Sequence, residues 1–259
     1  MNDLDLILAA AQEAGELALS AREGGLKIWS KDGGSPVTDA DLAVDALLKT
    51  ELMAARPDYG WLSEETADDP ARLTTRRQFV VDPIDGTVAF MKGKPWFAVS
   101  IAVVEDGQPI AGVVHAPALD ETYSATLEGP PLLNGQPIVP SVTAELPGSA
   151  MLGDAKMFAH PAWREPWPDM RIEARNSIAY RMCLVASGAF DAAIALSPKS
   201  EWDLAAADLI CRRAGAVAVD HKGRDFVYNQ PIPQVPSLVC ANKALAPLIL
   251  SRVGHIELP

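Results

Sequence analysis

The sequence predicts a mixed fold, α+β in its first half and α/β in its second. Three observations carry this expectation. Two amphipathic helical segments open the chain, over residues 3–22 and 38–55. Short apolar runs separated by tight-turn residues follow between 79 and 125, as in an antiparallel meander. Beyond a Pro- and Gly-rich stretch, helical and strand patterns then alternate.

In the first helical segment Leu4, Ile7, Leu8, Ala11 and Leu17 recur at helical spacing, and Gly24-Gly25 supplies the stop. Lys31–Pro36 reads as a loop by composition. Thr38 opens the second helix, which closes before Pro57; Thr38 and Asp41 match a capping pair, which alone accounts for Asp41. Trp61-Leu62 lead into Ser63-Glu64-Glu65 and a polar loop whose acids read as solvated unless Trp61-Leu62 is a strand ending beside Asp82. Trp96–Val104, Pro109–His115 and Glu121–Ala125 read as strands, the first two joined by a Glu105-Asp-Gly-Gln turn. Residues 129–148 hold five prolines and three glycines, the best candidate for a boundary between an N-terminal unit, 1–140, and a C-terminal unit, 141–259. In the second unit Ser177–Ser187, Leu204–Ala214 and Leu245–Leu250 read as helices; Phe190–Leu196, Val217–Val219 and Leu238–Cys240 read as strands.

Bulk properties exclude several functions. A net charge of −12 argues against a protein that binds a nucleic-acid backbone. Cys183, Cys211 and Cys240 are too far apart for a Cys-x-x-Cys pair and read as free thiols of a reducing cytoplasm. The N-terminus carries acids where a signal peptide needs bases, and no apolar run is long enough to span a bilayer.

The chemistry concentrates in Phe79–Phe90, FVVDPIDGTVAF. The run Phe79-Val80-Val81 fits a short buried strand, and Pro83, lacking an N–H, turns the backbone. Asp82 and Asp85 follow at a spacing of three, then Gly86 and Thr87, where backbone N–H groups suit a phosphate oxygen. Carboxylates beside a phosphate repel it unless cations intervene, which points to Mg²⁺; an ordinary turn with two solvated aspartates fits the same window. Asp203, after Trp202, is equally ambiguous, as a helix N-cap or as a metal ligand from the second unit.

Taken together, Ser63-Glu64-Glu65, Asp82-Pro-Ile-Asp-Gly-Thr87 and Trp202-Asp203 closely resemble the inositol monophosphatase family, and Val37–Asp41 and Phe97–Val103 are similar to further pieces of it. The resemblance implies a layered αβαβα sandwich with the site between its halves. It places Glu64, Asp82 and the carbonyl of Ile84 on one Mg²⁺, and Asp82, Asp85 and Asp203 on a second. A third, looser ion would lean on Glu64. Asp41, Glu64 and Thr87 would act in catalysis, Thr87 oriented by Asp41 to position the attacking water. Asp85 and the N–H groups of Gly86 and Thr87 would lie at the substrate phosphate. The implied activity is Mg²⁺-dependent hydrolysis of a small phosphate monoester, inositol monophosphate by default, by a protein that is often a homodimer.

Departures from the family pattern bear on the alcohol. Where inositol-specific members have a glutamate seven residues before the Trp-Asp aspartate, this chain has Leu196; Asn176-Ser177 and Val88-Ala89-Phe90 also depart from common versions. The alternatives are a 3′(2′),5′-bisphosphate nucleotidase, weakly suggested by Arg181 and the Trp202–Asp208 segment, or a low-turnover regulatory or binding protein on the same fold. His115, His160, His221 and His255 are expected to be structural or surface residues, since a metal-bound water needs no histidine base.

Overall fold

The structure, a computed structural model, describes residues 1–30 and 36–258; the Lys31–Ser35 part of the expected loop lies outside them. Helices α1 (Asp3–Gly24) and α2 (Asp39–Ala55) form the first layer. Against them lies a seven-stranded sheet of β1 (Gly60–Ser63), β2 (Arg77–Asp85), β3 (Ala98–Glu105), β4 (Gln108–Ala116), β5 (Glu121–Thr126), β6 (Leu132–Leu133) and β7 (Gln136–Pro137), in that spatial order. Only β1 and β2 run parallel; every later neighbour is antiparallel, which is the expected meander.

Strand alternation divides the core. Phe79, Val81, Val99, Ile101 and Val103 face α1 and α2, packing with Ile7, Val44 and Leu48. Val80, Ala102 and Val114 face the opposite way, onto a middle layer. That layer is α5 (Ile178–Ala186) and α6 (Glu201–Ala214), reached after the short α3 (Thr87–Met91) and α4 (Ala155–Phe158). Beyond it lies a five-stranded mixed sheet of β8 (Ala150–Leu152), β9 (Arg171–Glu173), β10 (Ala192–Ala195), β11 (Val217–Val219) and β12 (Leu238–Ala241), ordered β9-β8-β10-β12-β11. Helix α7 (Leu245–Val253) covers its outer face through Leu245, Ile249 and Val253. The layers therefore run αβαβα. Helix α6 approaches β4 so closely that a Cβ at Gly112 would stand 2.8 Å from the Ala206 carbonyl oxygen; only glycine fits there.

Two elements differ from the sequence expectation where it matters. Strand β2 does not stop at Asp82: pairing breaks there and resumes at Asp85–Ala98, with Pro83 in the irregular interval that needs no ladder donor. Helix α6 starts at Glu201, three residues early, because the Ser200 N–H donates to Asp203 Oδ2 (3.0 Å) across the first turn. Asp203 is thus the third residue of its helix, not its N-cap. Strands β8 and β9 were not among the expected strands. No helix among the described residues is long and apolar enough to cross a membrane.

Candidate active site

Strand β2 delivers Asp82 and Asp85 to its C-terminal end, and the first turn of α6 brings Asp203 across from the middle layer. One oxygen of each carboxylate lies within 4.8 Å of the others. Together with Glu64, Gly86 and Thr87 they line a cleft of about 220 Å³. Glu64 reaches it because β1 pairs in parallel with β2 and the Glu64 N–H donates to the Val81 carbonyl (3.3 Å). Behind β1, Asp45 on α2 accepts hydrogen bonds from the hydroxyls of Ser63 and Thr66, anchoring the start of the loop that carries Glu64.

Each remaining acid is held by a helix start. Asp85 Oδ2 accepts from Ser177 Oγ and the Ala179 N–H (both 2.6 Å), and Oδ1 from the Ile178 N–H (3.1 Å), so the first turn of α5 clasps its carboxylate. Asp203 caps α6 as described. Asp41 Oδ2 accepts from the Thr38 N–H (2.9 Å), completing the capping box of α2, while Asp41 Oδ1 accepts from Thr87 Oγ1 (3.2 Å). The capping and functional expectations for Asp41 thus describe two oxygens of one group. Thr87 Oγ1 also lies 3.2 Å from the Ile84 carbonyl oxygen; with a single proton it donates to one of the two at a time. Ile84 itself is buried in the core, and its N–H donates to Asp82 Oδ1 (3.0 Å), which fixes the Asp82 rotamer. Gly86 turns the chain at φ 94°, and a Cβ there would stand 2.9 Å from the Ser177 nitrogen.

Burial raises the affinity of these acids for protons. Asp82 is held well above the ordinary carboxylate range by burial and then by the charges of Glu64, Asp85, Asp203 and Asp41. Asp203 is pushed up to about 8 by burial and the Asp85 charge, against the Ser200 hydrogen bond. Asp85 rises only to about 6, because Ser177, Ala179 and Ile178 offset its burial. Asp41 is raised by burial and lowered by its bonds to Thr38 and Thr87. Acids gathered this closely repel one another in the absence of a cation. An oxygen-only donor set of this kind fits a hard divalent ion such as Mg²⁺.

The structure brings Asp41, Glu64, Asp82, Asp85, Gly86, Thr87 and Asp203 to one locality, with Ile84 behind the wall. Sequence reasoning missed Ser177 as the partner of Asp85, and Lys199 in the cleft wall. The signal for Ser177 was weak: an N-cap serine opening a helix, 92 residues from the acid it serves. The histidines stay away from the cleft lining; His115 bonds Thr122 and His221 bonds Ser237.

Comparison with known proteins identifies the family and the fold. The sequence model described as the inositol monophosphatase family matches residues 3–257. A histidinol-phosphatase of Chlorobaculum parvum is 34% identical, with 98% of each chain covered. The 3′(2′),5′-bisphosphate nucleotidase CysQ of Escherichia coli is 31% identical, covering 87% of this chain and 94% of its own. Among solved structures, an IMPase of Thermotoga maritima superimposes with a TM-score of 0.85 at 26% identity, covering 98% of this chain and 97% of its own. These three names share a phosphate ester and differ in the alcohol.

Proposed function

This chain belongs to the inositol monophosphatase family, and from that premise we propose that it is a Mg²⁺-dependent phosphomonoesterase acting on a small organic phosphate, with inositol monophosphate as the reference ester. The observation that carries the reading is the meeting of Asp82, Asp85 and Asp203 within 4.8 Å, in a cleft that also holds Thr87. We assign Glu64, Asp82 and the Ile84 carbonyl to one ion and Asp82, Asp85 and Asp203 to a second, with a third leaning on Glu64. Bound there, the ions supply charge neutralisation at the phosphoryl oxygens, an acidified water and a stabilised leaving alkoxide.

The chain's own groups do the rest. Thr87 Oγ1 donates a hydrogen bond to Asp41 Oδ1, which leaves its own lone pairs free to accept a hydrogen bond from a water in the cleft and orient that water toward phosphorus. Asp41, with proton affinity raised by burial, is suited to take up the proton that this water loses through Thr87. The N–H groups of Gly86 and Thr87 serve the phosphate oxygens. Three buried free thiols fit the reducing cytoplasm expected from the sequence.

Phosphate release measured with Mg²⁺ and with EDTA, on inositol 1-phosphate, histidinol phosphate and adenosine 3′,5′-bisphosphate, tests the reading. Turnover is expected with Mg²⁺ alone. Asp82→Asn is expected to lower it by about 10³-fold or more while the circular dichroism spectrum is kept. Wild-type activity in a folded Asp82→Asn protein overturns the metal assignment. Mg²⁺ binding without turnover on any ester favours a binding protein on this fold.

A further inference from the structure

Two further cavities continue from the carboxylate cleft. One, of about 500 Å³, adjoins it, and Asn176, Ile178 and Lys199 line both. The next, of about 600 Å³, shares Met157 and Leu196 with the first. The charged groups of the nearer cavity are matched within the protein. Arg175 holds Glu173 at 2.6 Å and lies over the Trp96 ring. Arg181 donates from Nε to the Arg175 carbonyl and faces the charges of Asp85 and Asp154. Lys199 donates to Ser197 Oγ (3.0 Å) and the Pro198 carbonyl (2.9 Å), and faces the charges of Asp203 and Asp85. Arg181 and Lys199 thus balance acids of the chain itself.

The rest of the lining is apolar. Ile178, Ile194, Met157 and Leu196 supply it in the nearer cavity. In the farther one Trp163, Ile256 and Leu258 join Met157 and Leu196, and His160 and His255 are the polar side chains. Trp163 is fixed in place: its Nε1 donates to the Met157 carbonyl (2.6 Å), and its ring meets that of Trp167 edge to face at 5.5 Å. With its N–H spent, the indole offers a ligand apolar surface alone. Met157, Trp163, Leu196 and Ile256 also edge the core cluster of β8 and β10, which accounts for their inner faces. It does not account for half-buried outer faces that run on from a cleft built for a phosphate. A polyol gains little from such a wall, because its hydroxyls need partners that Leu196 and its neighbours lack.

We propose that the alcohol half of the substrate ends in an uncharged apolar group, which passes Leu196 and Met157 and lies against Trp163. This rests on the phosphomonoesterase reading and narrows its alcohol. A series of phenylalkyl phosphates, from benzyl to phenylbutyl, tests it beside ethyl phosphate and glycerol phosphate. Along the series kcat/KM is expected to rise about three- to fourfold per methylene, mostly through KM, until the ring is seated. Phenylbutyl phosphate is expected to exceed glycerol phosphate by at least about tenfold. Leu196→Glu, which sets a carboxylate between the two cavities, is expected to remove most of that advantage and to leave ethyl phosphate nearly unchanged. Leu196→Met is expected to keep it. A flat series in the wild type, or an equal loss on long and short esters in Leu196→Glu, overturns the subsite.

Binding separates this outcome from failure of the phosphatase reading. In calorimetry on the Mg²⁺-loaded protein, phenylbutylphosphonate, which has no ester to hydrolyse, is expected to bind at least about tenfold tighter than ethylphosphonate. Its heat-capacity change is expected to be the more negative, the mark of apolar burial. That result without turnover on any ester leaves the subsite standing and removes the phosphatase. Turnover with equal binding of the two phosphonates does the reverse.

Discussion

At the scale of the residue, the site economises by giving single carboxylates two tasks. Asp41 closes the capping box of α2 with one oxygen and takes the Thr87 hydroxyl with the other. Asp203 holds the first turn of α6 while offering an oxygen to the acidic cluster. Thr87 is different, since its hydroxyl has no part in holding a helix; removing it should strip chemistry and spare architecture. Thr87→Val is therefore expected to lower kcat by about 10²–10⁴-fold, the usual share of a positioned proton-transfer group. Its Mg²⁺ affinity by calorimetry should stay near wild type. A matching loss of Mg²⁺ affinity would show that the hydroxyl serves the metal ligands instead. The acids were legible in the sequence through the family resemblance of their motifs; their spacing alone left Asp82 and Asp85 readable as an ordinary turn and Asp203 as a helix cap. Ser177 was not, because nothing near it announces that its hydroxyl will meet Asp85 across the fold.

At the scale of the element, the polar loop after Glu64 carries a structural device that composition hid. Asp, Ala and Arg there read as a solvated loop, yet Arg72 is 2% exposed. Its guanidinium holds Asp68 (2.6 and 2.9 Å), Asn229 Oδ1 (2.8 Å) and the Gln230 carbonyl (2.9 Å). The N–H groups of Asn229 and Gln230 in turn donate to Glu201, the first residue of α6 (2.7 and 2.9 Å). A strap thus runs from the Glu64 loop to the helix that carries Asp203. An arginine in this segment announces none of this, since its partners Asn229 and Gln230 lie 157 and 158 positions away. Arg72→Met keeps the stem and leaves the buried acceptors without donors, so a loss of about 2–4 kcal/mol is expected in urea unfolding. Half-maximal activity should also require more Mg²⁺, because the two ligand arms are no longer tied. A stability change below about 0.5 kcal/mol would mean that the strap is incidental.

At the scale of the whole molecule, the middle layer decides how stability responds to pH. Helices α5 and α6 lie between two sheets, and their N-terminal turns hold Asp85 and Asp203 where water is scarce. Without metal, Asp85 keeps its proton up to about pH 6 and Asp203 up to about pH 8, and Asp82 is also raised. Unfolded, all three release protons near the ordinary value of about 4. Between about pH 4 and pH 8 the native state therefore binds more protons than the unfolded one, and metal-free stability must fall as pH rises. Below about pH 4 both states are protonated at these three acids, which then contribute no slope. Mg²⁺ binds the deprotonated acids, so its stabilising effect grows over the same interval in which the metal-free protein weakens. The melting temperature of EDTA-treated protein is expected to decline from about pH 5 to about pH 8, each kcal/mol moving it by about 2–4 °C. With saturating Mg²⁺ the profile should be flat or rising, so that the gap widens with pH. Asp203→Asn, which removes a carboxyl pushed up to about 8, should lessen the metal-free decline between about pH 6 and pH 8. An EDTA profile already flat across that range in the wild type would show that the acids are not gathered tightly enough in solution to repel, and the metal site would fall with them.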